Sequence, residues 1–453
     1  MIPDMSHATD SVLYRDMFGT TEMRAIFSDR GLVQRWLDVE AALAQAEAEV
    51  GIVPADAAAK IKAAARVENI NWEELSRGAN LVGYPILSLV KQIEKATGPE
   101  AGKYIHWGAT TQDIMDSANA LQVRDARRLL TADLEKIIEK FASLAVVHRN
   151  TIMAGRTHGQ QALPITFGYK LAVYVAELRR HQERLEATPK RCEFVEFAGA
   201  AGTLATVGEK GLDVQRRMAA ILDLNVPPIS WHTSRDGLAE FVCVLGMMAS
   251  TLGKFAQEIA LLQRTEIAEV EEGFVPGRGG SSTMPQKRNP IASEAIIGAS
   301  KVVRQLVPAM LDAMLPDNER ATGPWHTEWL ALPEAAVLTH GIFHKTLEIL
   351  NGLVIHPENM KRNLAISRGL INSEAVMIEL AKSLGRQKAH DVVYKVSMRA
   401  VQSGKPLREE LAAEPDVSKH LQMQEIDRLL DPASYTGLAA QMVDGVLRAG
   451  NLR

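Results

Sequence analysis

Cysteine is scarce: the 453-residue chain has two, Cys192 and Cys243. Each lies in an apolar helical stretch and reads as a buried, inert thiol, and no metal-ligand spacing surrounds either one. Aromatic residues make up only 5% of the chain, while Ala, Leu, Glu and Met are plentiful. That balance favours packed helices over sheets, because strands draw on β-branched and aromatic side chains. Long apolar runs are missing as well. The most apolar window, Phe241 to Leu252, is bounded by Glu240 and Lys254 and is too short to span a membrane. The N-terminal stretch carries Asp4, His7 and Asp10 rather than the charged-then-apolar pattern of a secretory signal. A strong charge of one sign is also lacking. The formal net charge is -4 and the pI about 6.3, so nothing overall attracts nucleic acid or an anionic membrane. A cytoplasmic address is the expectation.

What is abundant is helical periodicity. From Leu130 the apolar positions Leu134, Ile137, Phe141 and Leu144 follow the steps of a buried seam on one long helix. A second seam runs through Leu252, Phe255, Ile259 and Leu262, and a weaker one through Val33, Leu37, Leu43 and Val50. Convincing alternating strands joined by hairpin turns are not seen, so the expected fold class is all-α. Three zones are expected. Residues 1–110 hold shorter helices broken at Gly51, Pro54, Gly83, Pro85 and Gly98-Pro99. Residues 111–355 hold the longest helical runs, a central bundle. Residues 356–453 hold short amphipathic helices after His356-Pro357. The many alanines on the long helices suit close helix–helix contacts, including contacts between subunits.

Four polar, glycine-containing segments interrupt the helices, where functional side chains tend to sit. The first runs from His106 through Trp107, Gly108, Ala109, Thr110, Thr111 and Gln112 to Asp113. It reads as a helix N-cap whose hydroxyls and free amides also suit a carboxylate. The second, Gly155 to Ala162, sets His158 between small residues and amide side chains, where an imidazole can exchange protons near neutral pH. The third, Trp231 to Asp236, offers Arg235, either a two-pronged grip on a carboxylate or a partner for Asp236. The fourth runs from Gly277 through Arg278, Gly279, Gly280, Ser281, Ser282, Thr283, Met284, Pro285, Gln286, Lys287 and Arg288 to Asn289-Pro290. It lacks the spacing of a phosphate loop. Glycines leading to paired serines and then Lys and Asn suit a mobile segment carrying a nucleophile or base.

With these segments in place, the sequence resembles the fumarase/aspartase superfamily, which includes adenylosuccinate lyase, argininosuccinate lyase and carboxymuconate lactonising enzyme. Ser281 to Pro290 resembles its signature loop, and Thr157-His158 and Thr110-Thr111 resemble its two other substrate-contacting regions. The segments 106–113, 231–236, 325–329 and 431–435 look most like the lactonising branch. The Thr157-His158 pair is typical instead of enzymes that eliminate an amine. The stretch Gly78 to Gly83, where adenylosuccinate lyases carry a second histidine, has none, which points away from the purine-pathway role.

The resemblance implies a three-domain helical fold and a homotetramer whose active sites are shared between subunits. It also implies a small dicarboxylate or succinyl-type substrate, and no metal or organic cofactor. By the same resemblance Ser282 is the base that removes a proton beside a carboxylate. Lys287 and Asn289 stabilise the charge that accumulates. Thr110, Thr111, Thr157, Gln160, Arg235, Ser281 and Met284 contact the substrate. His158 is the acid for the leaving nitrogen, and Glu294 sets its tautomer. The expected reaction is C–N β-elimination from an N-substituted aspartate with release of fumarate; the alternative is cycloisomerisation of 3-carboxy-cis,cis-muconate.

Overall fold

The computed structural model describes residues 5–273, 280, 283–320 and 322–450. Long helices dominate: Asp29–Glu49, Thr111–Val147, Phe167–Ala187, Asp236–Leu262, Ile291–Asp312 and Pro324–Gly352. The seams read from the sequence are buried, except that Leu144, at the end of the first, is half-buried. Leu130, Leu134, Ile137 and Phe141 are inaccessible to solvent, as are Leu252, Phe255, Ile259 and Leu262 to within 2%. The weaker N-terminal seam holds at Val33, Leu37 and Leu43, while Val50 is half-buried.

Residue contacts group the chain into two compact units. One comprises Met1–Glu135, Arg180–Gly253 and Ala295–Lys345; the other comprises Lys136–Arg179, Lys254–Glu294 and Thr346–Arg453. Long helices therefore contribute one part to each. The linear division at about 110 and 355 remains a proposal for the domains. In the first unit, the helices Asp29–Glu49, Ala55–Ala64 and Gly211–Leu222 and the first turns of Thr111–Val147 share one apolar core. Ser28 starts the first of these by accepting the Gly31 N–H. Helices Asp236–Leu262 and Ile291–Asp312 approach closely there: a Cβ on Gly253 would sit 2.5 Å from Ser300 Oγ. In the second unit, Phe141, Tyr174 and Phe255, from three different helices, pack with ring centroids 4.7–5.5 Å apart. That edge-to-face and stacked geometry is the favoured one for aromatic clusters.

Two expectations need correcting. The helix Asp236–Leu262 is, among the described residues, long and apolar enough to cross a membrane. Its apolar window is 72% buried inside the protein, which is the signature of a core helix. The chain also has strands. Ile152–Thr157 (β1) and Gln160–Thr166 (β2) form an antiparallel hairpin, and Val270–Glu271 (β3) pairs with Val354–Ile355 (β4). The fold remains helical, but the second polar segment is a hairpin tip rather than a break between helices. Cys192 is buried, and burial pushes its thiol up to about 12, whereas Cys243 is only half-buried.

Candidate active site

In the first unit, two of the four polar segments, His106 to Asp113 and Trp231 to Asp236, converge with the Ala198-Gly199 stretch on the start of the helix Thr111–Val147. Thr110 donates its N–H to Asp113 Oδ2 at 2.9 Å, the back-reaching half of a capping box, while the Asp113 N–H goes to the Thr110 carbonyl. The Asp113 carboxylate also accepts the Ala198 and Gly199 N–H groups at 3.2 and 3.0 Å and lies 2.7 Å from His232 Nε2. On the same first turns of the helix, Gln112 and Asp116 extend the network. The Gln112 amide donates to Asp116 and to the His232 carbonyl. Asp116 receives Arg235 at 2.7 and 3.0 Å and the Trp325 indole N–H at 3.1 Å. His106, from the same segment as Thr110, is tied by Nδ1 to the buried Glu40 at 2.7 Å.

Arg235 departs from expectation. Its guanidinium is 1% exposed and is shared between Asp116, Glu328 and the Trp231 carbonyl, and it lies over the Trp231 ring. Its five N–H donors are all engaged, so none is left for a substrate carboxylate. Asp236 is not its partner either. Arg235 instead neutralises two buried acids and fixes the helix Pro324–Gly352 against the start of Thr111–Val147.

More acids than bases are buried here, and the electrostatics follow. Burial pushes the Glu196 carboxyl up to about 8, helped by Asp113 and Asp116 and opposed by His232 and the Trp231 N–H. Burial likewise raises Glu328, with Arg235 pulling the other way. Burial is also the largest influence on His232 and depresses it, but Asp113, Glu196 and Asp116 together outweigh that and hold the imidazole above its ordinary value. The ligand-type atoms of Asp113, Glu196 and His232 lie within 4.8 Å of one another. Asp113 is already filled by three N–H groups and an imidazole, so the trio reads as a proton-sharing network rather than an ion site.

The second unit carries the proton-transfer candidates. The hairpin turn is His158-Gly159, with φ +53° and +77°. Two central residues in the left-handed region define the two-residue turn that suits the twist of its strands. Gly159 adopts this freely, but an imidazole-bearing residue does so at a cost of about 1 kcal/mol. The turn leaves Thr157, His158 and Gln160 exposed. Beneath it, Arg156 donates twice to the fully buried Glu269, which also accepts the Asn363 amide. The Gln161 amide reaches the Asn363 carbonyl.

The signature loop is anchored on both sides. Gln263 accepts the Glu272 N–H and donates to the Arg288 carbonyl. Arg288 pairs with Glu271, and Gly280 bridges to Arg288. The Glu272 carboxylate accepts the Ala292 and Ser293 N–H groups and the Ser293 hydroxyl, capping the helix Ile291–Asp312. Met284 and Lys287 are exposed and Asn289 is half-buried. Ser281 and Ser282 lie outside the described residues. Glu294 is exposed on the first turn of Ile291–Asp312. Among the described residues it makes no hydrogen bond with His158, so within one chain the expected acid pair is not assembled. A cavity of about 710 Å³ in the same unit, lined by Asn150, Thr151, Lys361 and Pro432 among others, contains none of the expected site residues.

Residues 18–304 match the lyase family model, and residues 369–446 match the model described as adenylosuccinate lyase C-terminus. The chain belongs to the fumarase/aspartase superfamily of lyases. It is similar to 3-carboxy-cis,cis-muconate cycloisomerase of Pseudomonas aeruginosa, 44% identical over 98% of this chain and 97% of that one. It is similar to trans-aconitate decarboxylase 1 of Mycosarcoma maydis, at 42% over 98% of this chain and 90% of that one. N-acetyl-S-(2-succino)cysteine lyase of Enterococcus italicus is 41% identical over 98% of this chain and 97% of that one. Among solved structures, a fumarate lyase from Mesorhizobium sp. BNC1 superposes with a TM-score of 0.90 at 45% identity, covering 98% of this chain and 100% of that one. The lyase is thus a helical enzyme of elimination type, in the adenylosuccinate lyase and carboxymuconate lactonising branch.

The residues that sequence reasoning passed over are the supporting acids Asp116, Glu196, Glu269, Glu272 and Glu328. No local pattern marks them: Asp116 and Glu328 meet Arg235 from 119 and 93 residues away, Glu196 meets the Trp231 N–H 35 residues on, Glu269 meets Arg156 across 113 residues, and Glu272 caps a helix about 20 residues on.

Proposed function

We propose that the lyase removes a proton beside a carboxylate of a substituted succinate and expels the neighbouring heteroatom group, releasing fumarate. An N-substituted aspartate is the leading substrate class. In this scheme Ser282 is the base, and its proton comes from the carbon next to the carboxylate. Free serine is too weakly acidic to serve unaided, so Lys287 stabilises the alkoxide, and Lys287 and Asn289 hold the doubly charged carboxylate that develops. The electron pair then breaks the bond to the leaving nitrogen, which takes its proton from His158. Thr110, Thr111, Thr157, Gln160, Ser281 and Met284 orient the substrate.

The observation that carries the reading is His158 itself. It occupies a left-handed conformation at an exposed hairpin tip, and its ring has no hydrogen-bond partner among the described residues. A conformational cost borne at a solvent-facing imidazole fits a proton carrier better than a packing residue. Lys287 is likewise exposed without an ion pair among the described residues.

Cycloisomerisation of a carboxylated muconate is the second reading, favoured by the 44% identity to the Pseudomonas aeruginosa enzyme. Both move a proton beside a carboxylate. A panel containing adenylosuccinate, N-acetyl-S-(2-succino)cysteine, trans-aconitate and 3-carboxy-cis,cis-muconate, followed by ultraviolet absorption, separates them. Growth of the fumarate band supports elimination. Loss of the conjugated muconate band without fumarate overturns elimination in favour of the second reading.

We further propose a cytoplasmic homotetramer. Leu311, Leu315 and Leu330 are 48%, 72% and 76% exposed on or beside the helices Ile291–Asp312 and Pro324–Gly352, the kind of apolar surface that subunit contacts cover.

A further inference from the structure

In the second unit a buried ion pair lies beneath the turn that carries His158. Across the β1–β2 hairpin Thr157 faces Gln160 and Arg156 faces Gln161, so the rung 156/161 is the second below His158-Gly159. The register shifts between Ala154 and Arg156, at Gly155, where an added Cβ would lie 2.8 Å from the Leu163 carbonyl oxygen. An irregularity of this kind re-aims a neighbouring side chain. The Arg156 guanidinium reaches the Ala154 carbonyl at 3.3 Å and the two Glu269 carboxylate oxygens at 2.7 and 3.0 Å.

Both strands of this rung are tied down. The Gln161 amide donates to the Asn363 carbonyl at 2.8 Å. The Asn363 amide in turn donates to Glu269 Oε1 and to the Ile267 carbonyl, each at 2.8 Å. Glu269 and Asn363 are 0% and 1% exposed. The Glu269 backbone is fixed as well. Its N–H goes to the Leu262 carbonyl at the end of the helix Asp236–Leu262, and its carbonyl accepts the His356 N–H just before the helix Pro357–Ala365. A two-pronged Arg–carboxylate pair sets direction as well as distance. The tip has no such support of its own: Thr157, His158 and Gln160 are exposed, and a Cβ built on Gly159 would meet nothing within 4 Å.

A general acid works only when held within hydrogen-bond reach of the atom it protonates, and a misplacement of about 1 Å can cost about a hundredfold in rate. On these grounds, and resting on the reading of His158 as the acid, we infer that Arg156 and Glu269 are positioning residues for the reaction. Their ion pair, completed by Gln161 and Asn363, holds the turn where the imidazole meets the leaving group. They act through His158 and not on the substrate.

The test uses the full-length protein, the panel member that the wild type consumes fastest, and hydrogen exchange of the peptides covering 152–166. Arg156→Lys keeps the charge but not the fork, and Glu269→Gln keeps the shape but sets a donor against donors. Each is made alone and together with His158→Asn. In the wild-type background each is expected to lower kcat about ten- to a hundredfold with KM within about twofold, and to speed exchange of the hairpin. Beside His158→Asn each is expected to cost less than about twofold more, because groups acting as one unit are not additive. Where either variant fails to fold, Gln161→Met serves, with an expected fall in kcat of about threefold or more that His158→Asn likewise abolishes. Equal losses in both backgrounds, no loss beyond about twofold, or unchanged hairpin exchange overturns the inference. Such a result beside a costly His158→Asn sinks the clamp and leaves the acid standing. A His158→Asn loss below about threefold removes the acid, and the clamp's role falls with it. A wild type that consumes none of the panel refutes the proposed reaction; faster hairpin exchange in the variants then still upholds the clamp, and unchanged exchange overturns it.

Discussion

His232 and Asp113 are 119 residues apart in sequence and 2.7 Å apart in space. Through this contact and the N–H groups of Ala198 and Gly199, one buried carboxylate holds two distant chain segments against the start of the helix Thr111–Val147, and it also takes the N–H of Thr110 just before that helix. Asp113→Asn replaces one acceptor oxygen by a donor that faces backbone N–H groups. It is expected to lower stability by about 2–4 kcal/mol in denaturant titration. A change within about 0.5 kcal/mol would show that the contact holds nothing.

Arg235 separates a structural cation from a substrate grip. Arg235→Lys keeps the charge but offers three donors in place of five, leaving Asp116 and Glu328 partly unpaired. The expected outcome is a loss of about 2 kcal/mol or more in unfolding free energy, with KM little changed in the protein that folds. A large rise in KM at unchanged melting temperature would restore Arg235 to the substrate.

Glu47 gives a pH signature. It is fully buried with neither oxygen hydrogen-bonded, and burial, reinforced by Glu40, pushes its carboxyl up to about 9. The folded state therefore holds a proton that the unfolded chain has released. The stability this provides is complete below the unfolded value near 4.5 and is lost as pH rises toward 9. Over that window the slope is about -1.4 kcal/mol per pH unit from this group. Melting temperature measured against pH is expected to fall less steeply for Glu47→Gln than for the wild type, with the gap widening toward pH 9. Parallel curves would contradict the assignment.

His158→Asn keeps a polar residue that tolerates the left-handed turn, so the hairpin is expected to survive. Turnover is expected to fall by about two to four powers of ten, the range for a general acid–base group. A loss below about threefold would leave His158 as a turn residue only.

Helices were legible in the sequence because their signal is local. The seam through Leu130, Leu134, Ile137 and Phe141 repeats every three or four residues, and all four are buried. The hairpin was harder to read. Met153, Ala154 and Gly155 are buried in succession, and the register shifts between Ala154 and Arg156, so the strand shows no clean alternation. Its one local cue was His158-Gly159, two residues able to turn the chain between Thr157 and Gln160. The charge network was not legible at all. Arg235 has an acid beside it in sequence, Asp236, yet its partners Asp116 and Glu328 are 119 and 93 residues away. Which of several acids an arginine meets is decided by helix packing, and no local pattern encodes it. The Thr110-Thr111, Trp231–Asp236 and Trp325–Trp329 segments were each recognisable alone; only the fold shows that they share one buried scaffold.

The central claim is that a serine removes the proton next to a carboxylate and that fumarate is the product. The most direct measurement is fumarate release, followed by its ultraviolet absorption, from the panel member that the wild type consumes fastest, compared between wild type and Ser282→Ala at matched helical content. The account predicts fumarate from the wild type and none above background from the folded variant. Wild-type-like release from Ser282→Ala, or consumption by the wild type with no fumarate formed, would contradict it.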